Sequence, residues 1–361
     1  MSRDARESKE RFRGFMNLSD IRGQDAAVRA LSACIRKSSV AQAYLFTGPR
    51  NSGKTSVALA FAAALNCTDR TPEGYSCGKC ISCLRIEAGT DADVRVISPD
   101  GNQTKMDQMQ EMIKDLSYAP ISGRYKVFII EQADTLNSSS ENSILKILEE
   151  PPSYAVLILL SRNPNSLLPT IRSRCRALRF RRASTEEVAS VLSERFPDLS
   201  ADETRIIAAC SQGAIGAALS MASEPRFLED RQAILHSISN WAAGHAMLSL
   251  QTAELLREMA RPPKNNPESQ TVVKNLTSIL EITLSWYSDL LCLSVSGESA
   301  PLNNDDFRTD LIALSARYSA EHLRRGIRSI MEARRYLEGN ITPQLVLENM
   351  LFELHPISGI D

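Results

Sequence analysis

At 361 residues the chain exceeds one small domain, and at roughly 100–200 residues per domain two or three are expected. Its 43% apolar content is ordinary for a globular protein and can fill a sizeable core. With 42 basic and 43 acidic side chains the net charge is -1, which excludes a global pull toward nucleic acid or membrane.

Taken from the N-terminus, residues 1–14 are charged, contain no secretory apolar core, and read as a flexible lead-in. No apolar run reads as long enough to span a bilayer, so a cytoplasmic protein without a membrane partner is expected. The first predicted strand is Ala43-Tyr44-Leu45-Phe46. Directly after it stands Gly48-Pro49-Arg50-Asn51-Ser52-Gly53-Lys54-Thr55-Ser56, which fits the phosphate-loop pattern G-x-x-x-x-G-K-[ST]. Gly48 and Gly53 allow a tight turn and a close approach of backbone to phosphate. Successive backbone N–H groups form the cradle, Lys54 reaches the terminal phosphates, and Thr55 offers its hydroxyl to Mg²⁺. An Ala/Leu-rich helix over 56–65 follows, and its N-terminus favours an anion. The bland alternative is a chance glycine-rich turn, which the strand before and the helix after argue against.

Four of the eight cysteines, Cys67, Cys77, Cys80 and Cys83, are spaced C-x9-C-x2-C-x2-C. Short C-x2-C spacing folds thiolates onto one tetrahedral ion, so structural Zn²⁺ is the expected ligand. Disulfides or a redox pair are the alternatives, and neither needs four thiols so close together. Four thiolates would close the coordination sphere, so this metal is not expected to be catalytic. The scattered Cys34, Cys175, Cys210 and Cys292 read as small buried hydrophobes.

Further on, Val94-Arg95-Val96-Ile97 reads as a strand and 105–117 as a helix with Met106, Met109, Ile113 and Leu116 on one face. A buried strand over 126–130 leads into Glu131-Gln132-Ala133-Asp134. A working ATPase is expected to carry Asp-Glu where this strand ends in Glu131-Gln132. Glu131 can still serve Mg²⁺ indirectly, being one methylene longer. Gln132 can orient a water but cannot accept a proton as a carboxylate does. A one-residue shift would make Asp134 the acid instead. The helix over 139–150 buries Ile144, Leu145, Ile147 and Leu148, and Pro151 and Pro152 stop it. Residues 156–160 form another strand. Strands alternating with helices imply a parallel sheet covered on both faces. Ser184-Thr185-Glu186-Glu187 is an N-terminal capping pattern, Pro225 marks a boundary, and only helical patterns follow. Leu276, Ile279, Leu280, Thr283 and Tyr287 share one helix face, and Leu323, Ile327, Ile330 and Leu337 share another; 261–269 reads as a proline-rich loop.

The phosphate loop, the four-cysteine insert, Glu149-Glu150-Pro151-Pro152 and Ser173-Arg174-Cys175 occur in the order that resembles bacterial clamp-loader subunits, AAA+ proteins of the DNA polymerase III holoenzyme. Ile21-Arg22-Gly23-Gln24 and Pro343-Gln344-Leu345-Val346-Leu347-Glu348-Asn349 look like theirs too, so the resemblance covers almost the whole chain. It implies an α/β AAA+ P-loop domain over 15–182 with the zinc-binding insert at 67–83. A small helical lid over 183–224 and an all-α collar over 225–361 that joins subunits into a ring would follow. Two members of the family compete, the gamma/tau motor and the delta-prime stator. In motor subunits a nucleotide-sensing arginine stands where this chain aligns Gly216, and a Thr-rich sensor where it reads Ser161-Arg162-Asn163-Pro164. With Gln132 these make three departures, which resemble delta-prime: ATP or ADP bound with weak or no hydrolysis. Arg174 is implied to act in trans, as a finger in a neighbour's ATP site. By spacing alone, with Arg172, Arg176, Arg179, Arg181 and Arg182 nearby, it reads as part of a solvated basic loop. The implied partners are other clamp-loader subunits in a hetero-oligomeric ring, the sliding clamp and primed DNA. A non-enzymatic assembly scaffold is the reading from another class.

Overall fold

The structure is a computed structural model that describes residues 17–99, 106–245, 247–261, 269–339 and 341–355. The lead-in expected over 1–14 and most of the loop expected over 261–269 lie outside the described residues. By packing, the chain divides into two compact units, Met1–Val191 with Gly213–Ala217, and Leu192–Gln212 with Ala218–Asp361.

The first unit is built on a parallel sheet. After helix α1 (Asp25–Arg36) comes strand β1 (Ala43–Thr47), then α2 (Lys54–Asn66) and the short α3 (Ile81–Glu87). Strand β2 (Val94–Ile97), α4 (Met106–Leu116), β3 (Lys126–Ile130), α5 (Ser138–Glu149), β4 (Ala155–Ser161), α6 (Pro169–Arg174) and β5 (Arg176–Arg179) follow. The strands stand in the order β2-β3-β4-β1-β5, and every pairing is parallel. Strands β1, β3 and β4 are continuous apolar runs because both sheet faces are covered. Tyr44, Phe46, Val127, Ile129, Val156, Ile158 and Leu160 pack toward α1 and α2. Leu45, Phe128, Ile130, Leu157 and Leu159 pack on the other face with Met109, Met112, Ile144 and Ile171 of α4, α5 and α6. Helix α2 is buried from Val57 through Asn66, so it carries apolar residues all round rather than on one stripe. On α4 the expected register is adjusted: Met112 is buried beside Met109 and Leu116, while Ile113 is half-buried.

Beyond the sheet run helices α7 (Thr185–Arg195), α8 (Ala201–Cys210), α9 (Ile215–Ser223), α10 (Phe227–Ala243), α11 (Leu248–Met259), α12 (Ser269–Ser296), α13 (Arg308–Ser315), α14 (Ala320–Glu338) and α15 (Pro343–Leu354). The expected cap of α7 is present: Ser184 Oγ accepts from Glu187 N–H at 3.2 Å, and Glu187 Oε2 accepts from Ser184 N–H at 2.8 Å. The second unit's core centres on α12, where Leu276, Ile279, Leu280, Thr283 and Tyr287 are all buried. Leu323, Ile330 and Leu337 of α14 are buried in the same core, with Ile327 packed against it.

One expectation is corrected here. Asn275–Ser296 of α12 is 22 residues long with mean hydropathy 1.2, so one helix does have the length and composition to cross a bilayer. The run hid in the sequence because Ser, Thr, Glu281 and Asp289 interrupt it. Half of it is buried within the helical core, as expected of a central core helix.

Candidate nucleotide site and cysteine cluster

The phosphate loop joins β1 to α2 at the carboxyl end of the sheet, where parallel α/β folds place their ligands. Gly48 N–H donates to the Ser161 carbonyl at 3.2 Å, which fastens the loop to the end of β4. A Cβ at Gly48 would collide with the Phe180 carbonyl oxygen, so the close approach requires glycine. Gly53 has φ +82°, a left-handed turn that L side chains adopt only under strain, and it opens α2. Pro49, Arg50, Asn51 and Ser52 form the arch between them; Ser52 Oγ donates to the Pro49 carbonyl at 2.8 Å. Lys54 Nζ lies over the arch, donating to the carbonyls of Gly48 at 2.8 Å and Pro49 at 2.6 Å. Burial, then the nearby Arg162 charge, lowers the Lys54 ammonium to about 8, with Asp134 acting in the opposite sense. Lys54, Thr55 and Ser56 belong to the first turn of α2, which therefore starts two residues before the sequence pattern indicates. This arrangement fits an anionic phosphate: a backbone cradle, a helix N-terminus and a partly desolvated ammonium converge on one spot.

The end of β3 lies beside it. Thr55 Oγ1 donates to Glu131 Oε1 at 2.8 Å, and Ser98 Oγ donates to Glu131 Oε2 at 2.8 Å. Glu131, rather than Asp134, is thus the acid against the expected Mg²⁺ hydroxyl. Gln132 sits in the left-handed region at φ 48°, ψ 49°. Its Oε1 accepts from Arg162 Nη2 at 2.6 Å, while Arg162 N–H donates to Asp134 Oδ1 at 3.0 Å. Arg162 therefore bonds both Gln132 and Asp134, two of the three polar residues that follow β3. Sequence reading noted its stretch only as a departure, and missed Ser98 and Arg162 as members of the site. A usable signal exists in hindsight: both stand just past a predicted strand, at the sheet end that carries the phosphate loop. Gln24 is another: buried, it donates to the carbonyls of Ser52 at 3.2 Å and Arg181 at 2.6 Å, tying α1 to the loop.

Arg174 is the last residue of α6. Its Nη2 pairs with Glu149 Oε1 at 3.1 Å and its Nη1 donates to the Thr170 carbonyl at 3.0 Å, with 37% of the side chain exposed. Of the neighbouring arginines, Arg172 bonds Asn165, Arg176 reaches the Cys34 sulfur, and Arg181 grips Glu187 through both oxygens. The basic run is thus divided among separate partners, and Arg174 lies away from its own chain's phosphate loop. Gly216 stands in the first turn of α9, where a Cβ would meet open space.

The cysteine cluster assembles as the spacing predicts. The ligand atoms of Cys67, Cys77, Cys80 and Cys83 all lie within 4.8 Å of one another. Cys67 and Cys80 sulfurs are 3.9 Å apart, close to the roughly 3.8 Å edge of a tetrahedron with Zn–S of about 2.3 Å. Backbone N–H groups of Cys77 and Cys80 point at the Cys67 and Cys77 sulfurs, at 3.3 Å each. Such donors stabilise thiolate charge, and the residues fit a structural zinc site of four thiolates.

The sequence model for the delta subunit of DNA polymerase III matches residues 23–184, and a second model, for the C-terminal part of the same protein, matches residues 226–355. The delta' subunit of Bacillus subtilis is 26% identical over 333 residues, covering 92% of this chain and 96% of that protein. The tau/gamma subunit of Haemophilus influenzae is 33% identical over 228 residues, 62% of this chain but only 33% of its own length. A DNA polymerase III gamma-subunit-related protein of Thermotoga maritima superposes with TM-score 0.47 at 18% identity, covering 91% of this chain and 97% of that one. With the delta-subunit family matched in both its parts, and a delta' relative aligned along nearly its whole length, the chain belongs to the delta-subunit family of bacterial DNA polymerase III.

Proposed function

We propose that this chain is a delta-prime-like stator of the clamp loader, which binds ATP or ADP with Mg²⁺ at 48–56 but turns it over weakly or not at all. The observation that carries the reading is the pairing of an intact phosphate loop with Gln132 where a general base belongs, its side-chain oxygen already held by Arg162. A carboxamide has no proton-accepting carboxylate, and loss of a general base commonly costs about 10²–10⁴ in rate. Chemistry would then be exerted elsewhere: Arg174 enters the ATP site of an adjacent motor, leaving Glu149 for a developing phosphoryl charge. The lid over 183–224 and the collar over 225–361 hold the chain in a hetero-oligomeric ring. That ring opens the sliding clamp and places it on primed DNA in the cytoplasm. The cysteine cluster holds structural Zn²⁺.

A motor reading of gamma/tau type draws support from one contact, Thr55 to Glu131, which sets a carboxylate beside the Mg²⁺ hydroxyl. Steady-state ATP turnover of the purified chain, alone and as Gln132→Glu, separates the two. Negligible turnover that rises by on the order of 10²-fold or more in the variant supports the stator. Robust turnover by the unaltered chain defeats it in favour of the motor. A scaffold without any ATP-linked role predicts no turnover in either form and no nucleotide-dependent effect in the assembled ring.

A further inference from the structure

Arg174 is held by a carboxylate that stands where local physics does not favour one. Glu149 is the last residue of α5 and Glu150 follows it, so two acidic side chains sit at a helix C-terminus, where the dipole prefers cations. Their place is rigid: Pro151 and Pro152 end the helix, and Gln42 Nε2 donates to both proline carbonyls, at 3.3 and 3.2 Å. Leu148 of α5 and Ile171 of α6 are buried in one core, which fixes the two helices against each other. Across that junction Glu149 Oε1 meets Arg174 Nη2 at 3.1 Å, while the Thr170 carbonyl accepts from Nη1 at 3.0 Å. The pair is open to exchange, with 37% of the arginine side chain and 54% of the glutamate side chain exposed. Arg174 also lines a cavity of about 350 Å³ with Gln42, Pro151 and Arg176, so it is not packed in on that flank.

We propose that Glu149 is a positioning residue for the finger: it docks Arg174 on this chain's own surface between turnovers and yields it only to a neighbour's triphosphate. This rests on the reading of Arg174 as a finger in trans and adds what restrains it. A free arginine side chain samples many rotamers, and here one carboxylate and one carbonyl hold it in a single place. The carboxylate carries one negative charge, whereas a transferring phosphoryl group spreads more charge over three oxygens and matches the planar fork at least as well. The exchange therefore favours the phosphate where MgATP is present and Glu149 where the neighbouring site is empty. Helix stability gives no reason for an acid at this position, since the dipole of α5 opposes it.

The test is steady-state ATP turnover of the reconstituted ring carrying this chain unaltered, as Glu149→Gln, as Glu149→Asp, as Arg174→Ala, and as Glu149→Gln with Arg174→Ala. Glu149→Gln should raise kcat by about two- to fivefold, the worth of one exposed ion pair, with KM for ATP little changed. Raising the salt concentration should shrink that ratio, because salt screens the pair. Glu149→Asp, which keeps the charge, should restore a rate near the unaltered one. The double variant should match Arg174→Ala, because Glu149 acts only through Arg174. The thermal midpoint of the Glu149→Gln chain should stay level or rise, whereas a residue kept for structure would lower it. A Glu149→Gln ring no faster than the unaltered one, or a double variant that departs from Arg174→Ala, overturns the assignment and leaves the finger standing. Undiminished turnover with Arg174→Ala overturns this assignment and the finger together.

Discussion

Lys54 concentrates the electrostatics of the loop in one side chain. Its ammonium is depressed to about 8, first by burial and then by Arg162. The folded value lies below the ordinary 10.5, so the free protein carries the full penalty of the charge at lower pH. It sheds that penalty as pH rises through about 8 toward 10.5 and the lysine loses its proton. Phosphate requires the protonated form, so MgADP affinity is predicted to decline as pH climbs through about 8, with proton uptake on binding. Calorimetry in buffers of different ionisation heat checks this, and a pH-independent affinity without proton uptake would contradict it. The Lys54 position was legible in the sequence because the loop pattern fixes it within nine consecutive residues, 48–56. Its altered ionisation was not legible, because both causes, burial first and then the charge of distant Arg162, arise only once the sheet is assembled.

At the scale of elements, the cysteine insert and the strand ends behave differently. The insert is local: Cys67 to Cys83 close on one another within a single short segment, and their sulfurs meet within 4.8 Å. Spacing was enough to foresee it. Zinc binding in such a module is folding free energy. Cys77→Ser is predicted to lose stoichiometric zinc and more than about 3 kcal/mol of stability, since loss of a metal site belongs to the most damaging class of substitution. Elemental analysis with denaturant titration tests it, and a variant with full zinc content and unchanged midpoint would remove the metal from the fold. The strand ends resist such reading. Ser98 and Arg162 follow β2 and β4, and nothing in their local sequence says that they flank β3. Helix α12 shows the opposite balance: its buried face, Leu276, Ile279, Leu280, Thr283 and Tyr287, was legible from helical spacing, while interspersed Ser, Thr, Glu and Asp hid the length of its apolar stretch.

At the scale of the whole molecule, the phosphate loop belongs to one compact unit and the α12 core to the other. Arg174, on the first unit, is proposed to act outside the chain altogether. In the reconstituted ring, Arg174→Ala is predicted to lower assembly ATPase by about 10³-fold or more, the range of arginine fingers supplied in trans. Nucleotide binding by the isolated chain should stay as it is, because Arg174 pairs with Glu149 rather than with its own phosphate loop. Undiminished ATPase of the variant ring would take Arg174 out of the mechanism. The sequence by itself determined whatever depends on short spacing: the loop and its lysine, the four thiols, the absent carboxylate at Gln132 and the alternation that makes a parallel sheet. Only the tertiary structure decided which distant groups meet. Thr55 bonds Glu131, Gln132 gives its oxygen to Arg162, and Arg174 turns to Glu149. The reason is physical: covalent spacing sets contacts within a turn or a loop, whereas contacts across a sheet depend on strand order, which the cost of burying both faces selects for the chain as a whole.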